Sequence, residues 1–179
     1  MEHTTLIFTT KSRVMLAFVA MLACCASTWS VARSQASWWG EVTYVVDGDT
    51  VHVRPLRGGK PLSIRIDGID APEICQAGGR EARDALKRRT LGQRVTVHGT
   101  RRDIYGRLLA RIVINGEDQG EWMVAEGLAW SYRYRGHSGR YALQQRDAEV
   151  AGIGLFTRSP AAPPVNPRIF RKQHGSCYF

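Results

Sequence analysis

A chain of 179 residues is long enough for one domain with a real hydrophobic core and too short for two comfortable ones. Its 25 Lys and Arg residues outweigh 16 Asp and Glu, for a formal charge of +9. A positive field of that size favours polyanionic partners, nucleic acid first and acidic membrane surface second, with solubility alone as the blander reading.

In chain order, Lys11 and Arg13 precede an apolar and small-residue run from Val14 to Trp29. Ser30-Val31-Ala32 and Ser34-Gln35-Ala36 follow, and either fits a small-x-small cleavage site. The pattern predicts a secretory signal peptide over 1–36, cut near 32 or 36, and so an exported protein, periplasmic or extracellular. A membrane anchor and a buried core helix are the rival readings. A span needs about 20 apolar residues, more than this run supplies, and the run has no polar face of the kind a core helix shows. Cys24 and Cys25 lie inside the segment, and Met21-Leu22-Ala23-Cys24 is a poor lipid-attachment signal. Removing 1–32 takes away Lys11, Arg13 and Glu2, two cations and one anion, so the charge falls from +9 to +8 and the mature chain stays basic.

Cys75 and Cys177 are the cysteines left in the exported part. In an oxidising compartment they are most simply a disulfide, tying the C-terminal tail to the loop after Glu73. A zinc site from His174 and Cys177 is the sharper alternative, but two ligands do not make a tetrahedral site.

From Glu41 the apolar pattern has period two. Val42, Tyr44 and Val46 are expected to share one face, and Val51 and Val53 alternate with His52 and Arg54. Asp47-Gly48-Asp49 interrupts as a tight turn, and Pro55 to Pro61, with Gly58-Gly59, reads as a second hairpin loop. Leu62, Ile64 and Ile66 then alternate with Ser63, Arg65 and Asp67, so Arg65 projects away from the apolar face. A helix is expected from Arg80 to Leu91, with Ala82, Ala85 and Leu86 inward, ended by Gly92. A strand from Val95 to Thr100 follows, then a turn at Asp103-Ile104-Tyr105-Gly106. The next strand puts Leu108, Ala110, Ile112 and Ile114 inward and Arg107 and Arg111 outward, closed by Asn115-Gly116. Two further helices are expected, from about Glu121 to Ala129 and from about Gly139 to Val150. Pro160, Pro163, Pro164 and Pro167 predict an extended, semi-rigid tail over 159–179. The sum is an α+β domain over 37–158, a five-stranded OB-type β-barrel with about three helices.

The stretch from Asp47 to Glu73 places acidic clusters at both ends of a strand pair with Arg65 between them. That arrangement suggests a metal ion held against a phosphate. Hard divalent cations prefer oxygen ligands, and Asp49 and Asp70 are the candidates. Taken alone, Asp47-Gly48-Asp49 is more often only a turn. It is not a helix-loop-helix calcium loop, because Val51 and His52 stand where that loop wants a ligand and glycine.

Five ordered motifs make the signal specific: Val46-Asp47-Gly48-Asp49-Thr50-Val51, Arg65 through Glu73, Asp103-Ile104-Tyr105-Gly106-Arg107, Met123 through Ala129, and Gly154-Leu155-Phe156. From Val42 to Phe156 the chain resembles the staphylococcal nuclease (thermonuclease) family. The resemblance implies calcium-dependent (Ca2+) hydrolysis of phosphodiester bonds in DNA and RNA. It implies calcium ligation by the Asp49 and Asp70 carboxylates and the Ala71 carbonyl. It also implies Glu73 as the group that orients or deprotonates the attacking water, and Arg65 and Arg107 as a phosphate clamp. Asp47 would support the metal loop.

Physical chemistry points the same way. A phosphodiester is anionic, so an incoming hydroxide is repelled until cationic groups neutralise its oxygens. Arginine suits this better than lysine because its planar fork donates two hydrogen bonds and stays charged. Tyr105, Tyr132 and Tyr134 sit among arginines, and the resemblance puts this region against the nucleotide. Their alternative role is core filling beside Trp122 and Trp130.

Ala71 stands where the family often has threonine, harmless if only its carbonyl serves. Ile104 replaces a basic residue of the type member, which weakens the expected contact with a terminal phosphate. Asp118-Gln119-Gly120 leaves the start of the helix at Glu121 less surely capped. Cys75 and the tail through Cys177 lie outside the family's core pattern.

The expectation is an exported, sequence-nonspecific, monomeric endonuclease that favours single strands and has no stable membrane association. Its rivals are a noncatalytic OB-fold nucleic-acid-binding module and an envelope-anchored structural protein.

Overall fold

The computed structural model describes residues 37–133, 136–157 and 163–177. The segment read as a signal peptide, and Tyr134, lie outside them.

Period-two alternation builds most of what is described. Strands β1 (Ser37–Val45), β2 (Thr50–Pro55) and β3 (Leu62–Ile66) form an antiparallel meander. The short strand β4 (Ile69–Asp70) and helix α1 (Gly79–Thr90) follow. Strand β5 (Arg94–Arg102) then pairs with β1 and with β6 (Leu108–Ile114). A parallel pairing of β3 with β6 closes the sheet, in order β3-β2-β1-β5-β6, into a five-stranded barrel. Strand β7 (Glu117–Asp118) extends β6 around the Asn115-Gly116 turn, where φ is 50° and 87°. Positive φ at both positions is what a two-residue hairpin needs, and Asn-Gly adopts it most readily. Helix α2 (Gln119–Ala125), strand β8 (Trp130–Ser131), helix α3 (Ala142–Ala151), a 3-10 turn (Gly154–Phe156) and helix α4 (Pro167–His174) complete the domain.

The barrel interior is aliphatic. Val51, Val53, Ile64, Ile66, Val95, Val97 and Ile112 are at most 1% exposed, and each such side chain contributes about 1.5–3 kcal/mol relative to exposure. Ala82, Leu86, Met123 and Val124 close the barrel from α1 and α2. Asp118 ties this end together. Its carboxylate caps α2 by accepting from the Gly120 and Glu121 amides, and it also accepts from Arg111 Nε at 2.7 Å and the Tyr141 hydroxyl at 2.9 Å.

Four expectations are corrected. A register shift between Val42 and Tyr44 marks a β-bulge, which turns Tyr44 out to 59% exposure and buries Val45 instead, so Val42, Tyr44 and Val46 do not share a face. Helix α2 starts at Gln119 rather than Glu121, because Asp118 supplies the cap, and stops at Ala125, because Gly127 takes a left-handed φ of 64°. Helix α3 begins at Ala142 rather than Gly139. The tail is not extended throughout. Pro167 is the first residue of α4, where a missing N–H costs nothing, and Asn166 caps it by accepting from the Arg168 amide at 3.0 Å.

Candidate active site

The charged residues of a turn and of a strand end meet on one side of the barrel. The bend at Asp47-Gly48-Asp49 is closed by the Val46 amide donating to the Thr50 carbonyl at 2.9 Å and the Asp49 amide donating to Asp47 Oδ1 at 2.9 Å. Gly48 allows this bend to lie against the next segment: a Cβ there would stand 2.6 Å from that of Ala71 and 2.8 Å from that of Ala82. Strand β4 pairs with β8, Asp70 opposite Trp130, and the Tyr132 amide donates to the Gly68 carbonyl at 2.8 Å. Asp70 and Tyr132 are thereby fixed to each other's neighbourhood.

Arg65, on the outward face of β3, reaches across both loops. Its Nη1 donates to Asp49 Oδ1 at 2.7 Å and its Nη2 to Asp70 Oδ1 at 2.8 Å. Both carboxylates are buried at 3% exposure. Burial opposes the charge of Arg65, but Asp49 and Asp70 outweigh it and hold the guanidinium ionised above its ordinary range. Asp49 also accepts from the Thr50 hydroxyl at 3.0 Å and, through Oδ2, from the Ala71 amide at 3.1 Å. Burial, then the like charge of Asp49, pushes the Asp47 carboxyl up to about 7.

Arg107 approaches from the β5–β6 turn. Asp103 accepts from Arg107 Nε at 2.8 Å and from the amides of Tyr105 and Arg107, both at 3.0 Å, so one carboxylate shapes the turn and aims the guanidinium. Tyr105 is 77% exposed with its ring 5.5 Å from the Arg107 guanidinium carbon. Asp49, Arg65, Ala71, Glu73, Tyr105, Arg107 and Tyr132 line one cavity of about 550 Å³. Asp70 stands directly behind it, bonded to Arg65.

Arg171, on α4, also enters this cavity, and sequence reasoning missed it. Its guanidinium donates to Asp70 Oδ2 at 3.0 Å and Oδ1 at 3.2 Å, and to Glu73 Oε1 at 2.8 Å. Three ties hold its segment in place. Cys75 and Cys177 are joined by a disulfide with a Cα separation of 5.8 Å. Gln76 donates to the Val165 carbonyl while accepting from the Glu73 amide at 3.2 Å. The Arg171 ion pairs are the third. The available signal was the cysteine pair itself, since a tail tied at Cys75 must bring its basic residues close to Glu73.

Among the described residues no group of three or more His, Cys, Asp or Glu side chains converges as a ready metal cage. Asp49 and Asp70 face guanidinium groups instead. The donors at hand, two carboxylates and the Ala71 carbonyl, are all hard oxygens, the kind that hard divalent cations prefer. By the chemistry of its donors the set fits a hard divalent ion, and Arg171 occupies the Asp70 carboxylate in this arrangement.

Known proteins place the geometry in context. The family model described as staphylococcal nuclease homologue matches residues 63–158. A protein described as an uncharacterized endonuclease from Escherichia coli O157:H7 is 37% identical over 133 residues, covering 74% of this chain and 84% of its own. Protein ParB from Escherichia coli is 32% identical over 159 residues, 83% and 85% of the two chains. A micrococcal nuclease from Shigella flexneri is 34% identical over 140 residues, 72% and 79%. On this breadth of match, the chain belongs to the staphylococcal nuclease family and is a nuclease, an enzyme that hydrolyses phosphodiester bonds.

Proposed function

We propose that the protein is an exported, calcium-dependent, sequence-nonspecific endonuclease for DNA and RNA, favouring single strands and acting as a monomer without stable membrane association. The observation that carries this reading is one cavity that gathers Arg65, Glu73 and Arg107 beside the Asp49 and Asp70 carboxylates, with Tyr105 and Tyr132 on its walls.

In this reading Asp49, Asp70 and the Ala71 carbonyl hold the cation, which when bound adds positive charge against the phosphoryl oxygens. Arg65 has five N–H donors and three acceptors here, Asp49, Asp70 and the Ile69 carbonyl, so donors remain for a phosphate oxygen. Arg107, held at its Nε by Asp103, keeps most of its fork for the same phosphate. Glu73 takes the proton of the attacking water as its oxygen bonds to phosphorus. If the chain follows the family it belongs to, the bond from phosphorus to the 5′-oxygen then breaks, that oxygen takes a proton from solvent to leave as a hydroxyl, and a 3′-phosphate remains. Tyr105 and Tyr132 stack on bases, which is sequence-tolerant because every base has a π face.

Export is supported by the basic, apolar, small-residue order of 1–36 and by the Cys75–Cys177 disulfide, a bond that persists in oxidising compartments. The test is degradation of plasmid, single-stranded DNA and RNA with calcium, magnesium or chelator, beside Glu73→Gln and Arg107→Ala. Calcium-dependent loss of all three substrates, suppressed in both variants, is expected. Binding without cleavage under either metal would sink the proposal.

A further inference from the structure

The arginines of the catalytic cavity all have carboxylate partners: Arg65 with Asp49 and Asp70, Arg107 with Asp103, Arg171 with Asp70 and Glu73. Two neighbouring arginines do not. Arg133, just past β8, and Arg168, in the first turn of α4, make no ion pair with any described carboxylate. Both line a second cavity of about 360 Å³, together with Ser131, Tyr132, Gln145 and Asn166.

The second cavity adjoins the first. Tyr132 lines both, and Asp70 lies in the wall of the second while Ile69 and Ala71 line the first. Asp70 is the acidic residue of the second cavity, and its charge is already met by Arg65 and Arg171. Arg168 and Arg171 are three positions apart on α4, hence neighbours on one side of the helix. One faces each cavity. Asn166 and Arg168 also bring the start of α4 to the second cavity, its first amides already bonded to Asn166, so the positive charge offered there is that of the Arg168 side chain. The cavity thus presents two unneutralised guanidinium groups, hydroxyl and amide donors, and an exposed tyrosine edge.

We infer that this second cavity is a phosphate subsite for the strand being cut, holding a nucleotide beyond the scissile bond, with Arg133 and Arg168 as its charged groups. The ligand is a single-stranded polynucleotide, and the inference rests on the nuclease reading of the first cavity. Helix α4 would then serve substrate on both sides of Asp70.

The test is fluorescence anisotropy with chelator present, so that no strand is cut, using a dinucleotide and a strand of about twelve nucleotides, compared at one low salt concentration and then, for the long strand, across a salt series. Replacing Arg133 and Arg168 together by Ala is expected to weaken the long strand at least about fivefold and the dinucleotide about threefold less than that, with the salt slope for the long strand falling by about 1.4. Lysine at both positions should restore affinity to within about twofold, since the charge returns. Thermal unfolding reports folding, and if the double variant unfolds the single variants carry the comparison. Equal loss at both lengths, no loss, or inorganic phosphate displacing both strands alike would overturn the subsite. Failure of the nuclease reading is separate: the wild type would leave every strand intact with calcium or magnesium, whatever the binding series shows.

Discussion

Two guanidinium groups grip Asp70, and they come from opposite kinds of structure. Arg65 stands on β3, paired on one edge with β2 and on the other with β6, so its place follows from barrel closure. Arg171 stands on a helix of 8 residues outside the barrel, held by a disulfide, the Gln76 bond and its own ion pairs. The first is a fixture of the fold. The second is a wall standing outside the barrel, and it covers a carboxylate that the proposed function assigns to a cation.

The largest effect should come from breaking the fixed side. Arg65→Ala leaves Asp49 and Asp70, both 3% exposed, without their shared counter-charge. Removing one partner of a buried pair costs about 3–5 kcal/mol, and losing a phosphate donor costs about 100-fold or more in rate. Chemical denaturation and a plasmid assay should both show it. Arg107→Ala sharpens the contrast, since its partner Asp103 is nearer solvent: a similar fall in rate is expected with a stability change of at most about 1 kcal/mol.

Next comes the tether. Replacing Cys75 and Cys177 together by Ser opens a loop spanning 102 positions, for which chain entropy sets a ceiling of about 4.7 kcal/mol. The loss should fall below that ceiling, because α4 can leave while the barrel stays folded. Hydrogen exchange should then show α4 opening before β1–β6. Simultaneous opening would make the tail as much a fixture as Arg65.

Arg171→Ala tests the wall without cutting the tether. A cation on Asp70 and Arg171 in its present place compete for the same carboxylate oxygens, so the variant should bind calcium about 3–10-fold more tightly, by calorimetry without substrate. Weaker binding would mean that Arg171 shapes the cation site instead of obstructing it.

The same contrast separates what was legible in the sequence from what was not. Strands β2, β3 and β6 follow from strict alternation, and the Asn115-Gly116 hairpin from two residues that tolerate positive φ. The bulge at Tyr44 escaped because an inserted residue leaves no mark on an alternating pattern except a shifted phase. Asp118 is an ordinary N-cap residue type, so the start of α2 was legible at that residue, whereas its ties to Arg111 and Tyr141 lie beyond any local pattern. In the tail, Asn166-Pro167 is a helix-start signal and Gly175 a stop, hidden by counting Pro160, Pro163, Pro164 and Pro167 as one tract. Arg65 and Arg107 lie within contiguous motifs. Arg171 meets Glu73 across 98 positions, and no local pattern encodes such a meeting.

The smallest effect concerns acid. Burial opposes ionisation of Asp103, but the Arg107 guanidinium and the amides of Arg107 and Tyr105 outweigh it and hold the carboxyl below its ordinary 3.8. A folded-state value below the unfolded one contributes stability that is fully present above the unfolded value and lost as pH falls through the folded value. Asp103→Asn removes that contribution. The variant should therefore be less stable than the wild type at neutral pH, by at most about 1 kcal/mol, with the two curves converging as pH falls below about 3.8. Parallel curves down to the acid end would mean that Asp103 serves the turn through its shape alone. In that case the aim of Arg107 depends on the Asp103-Gly106 backbone and not on charge.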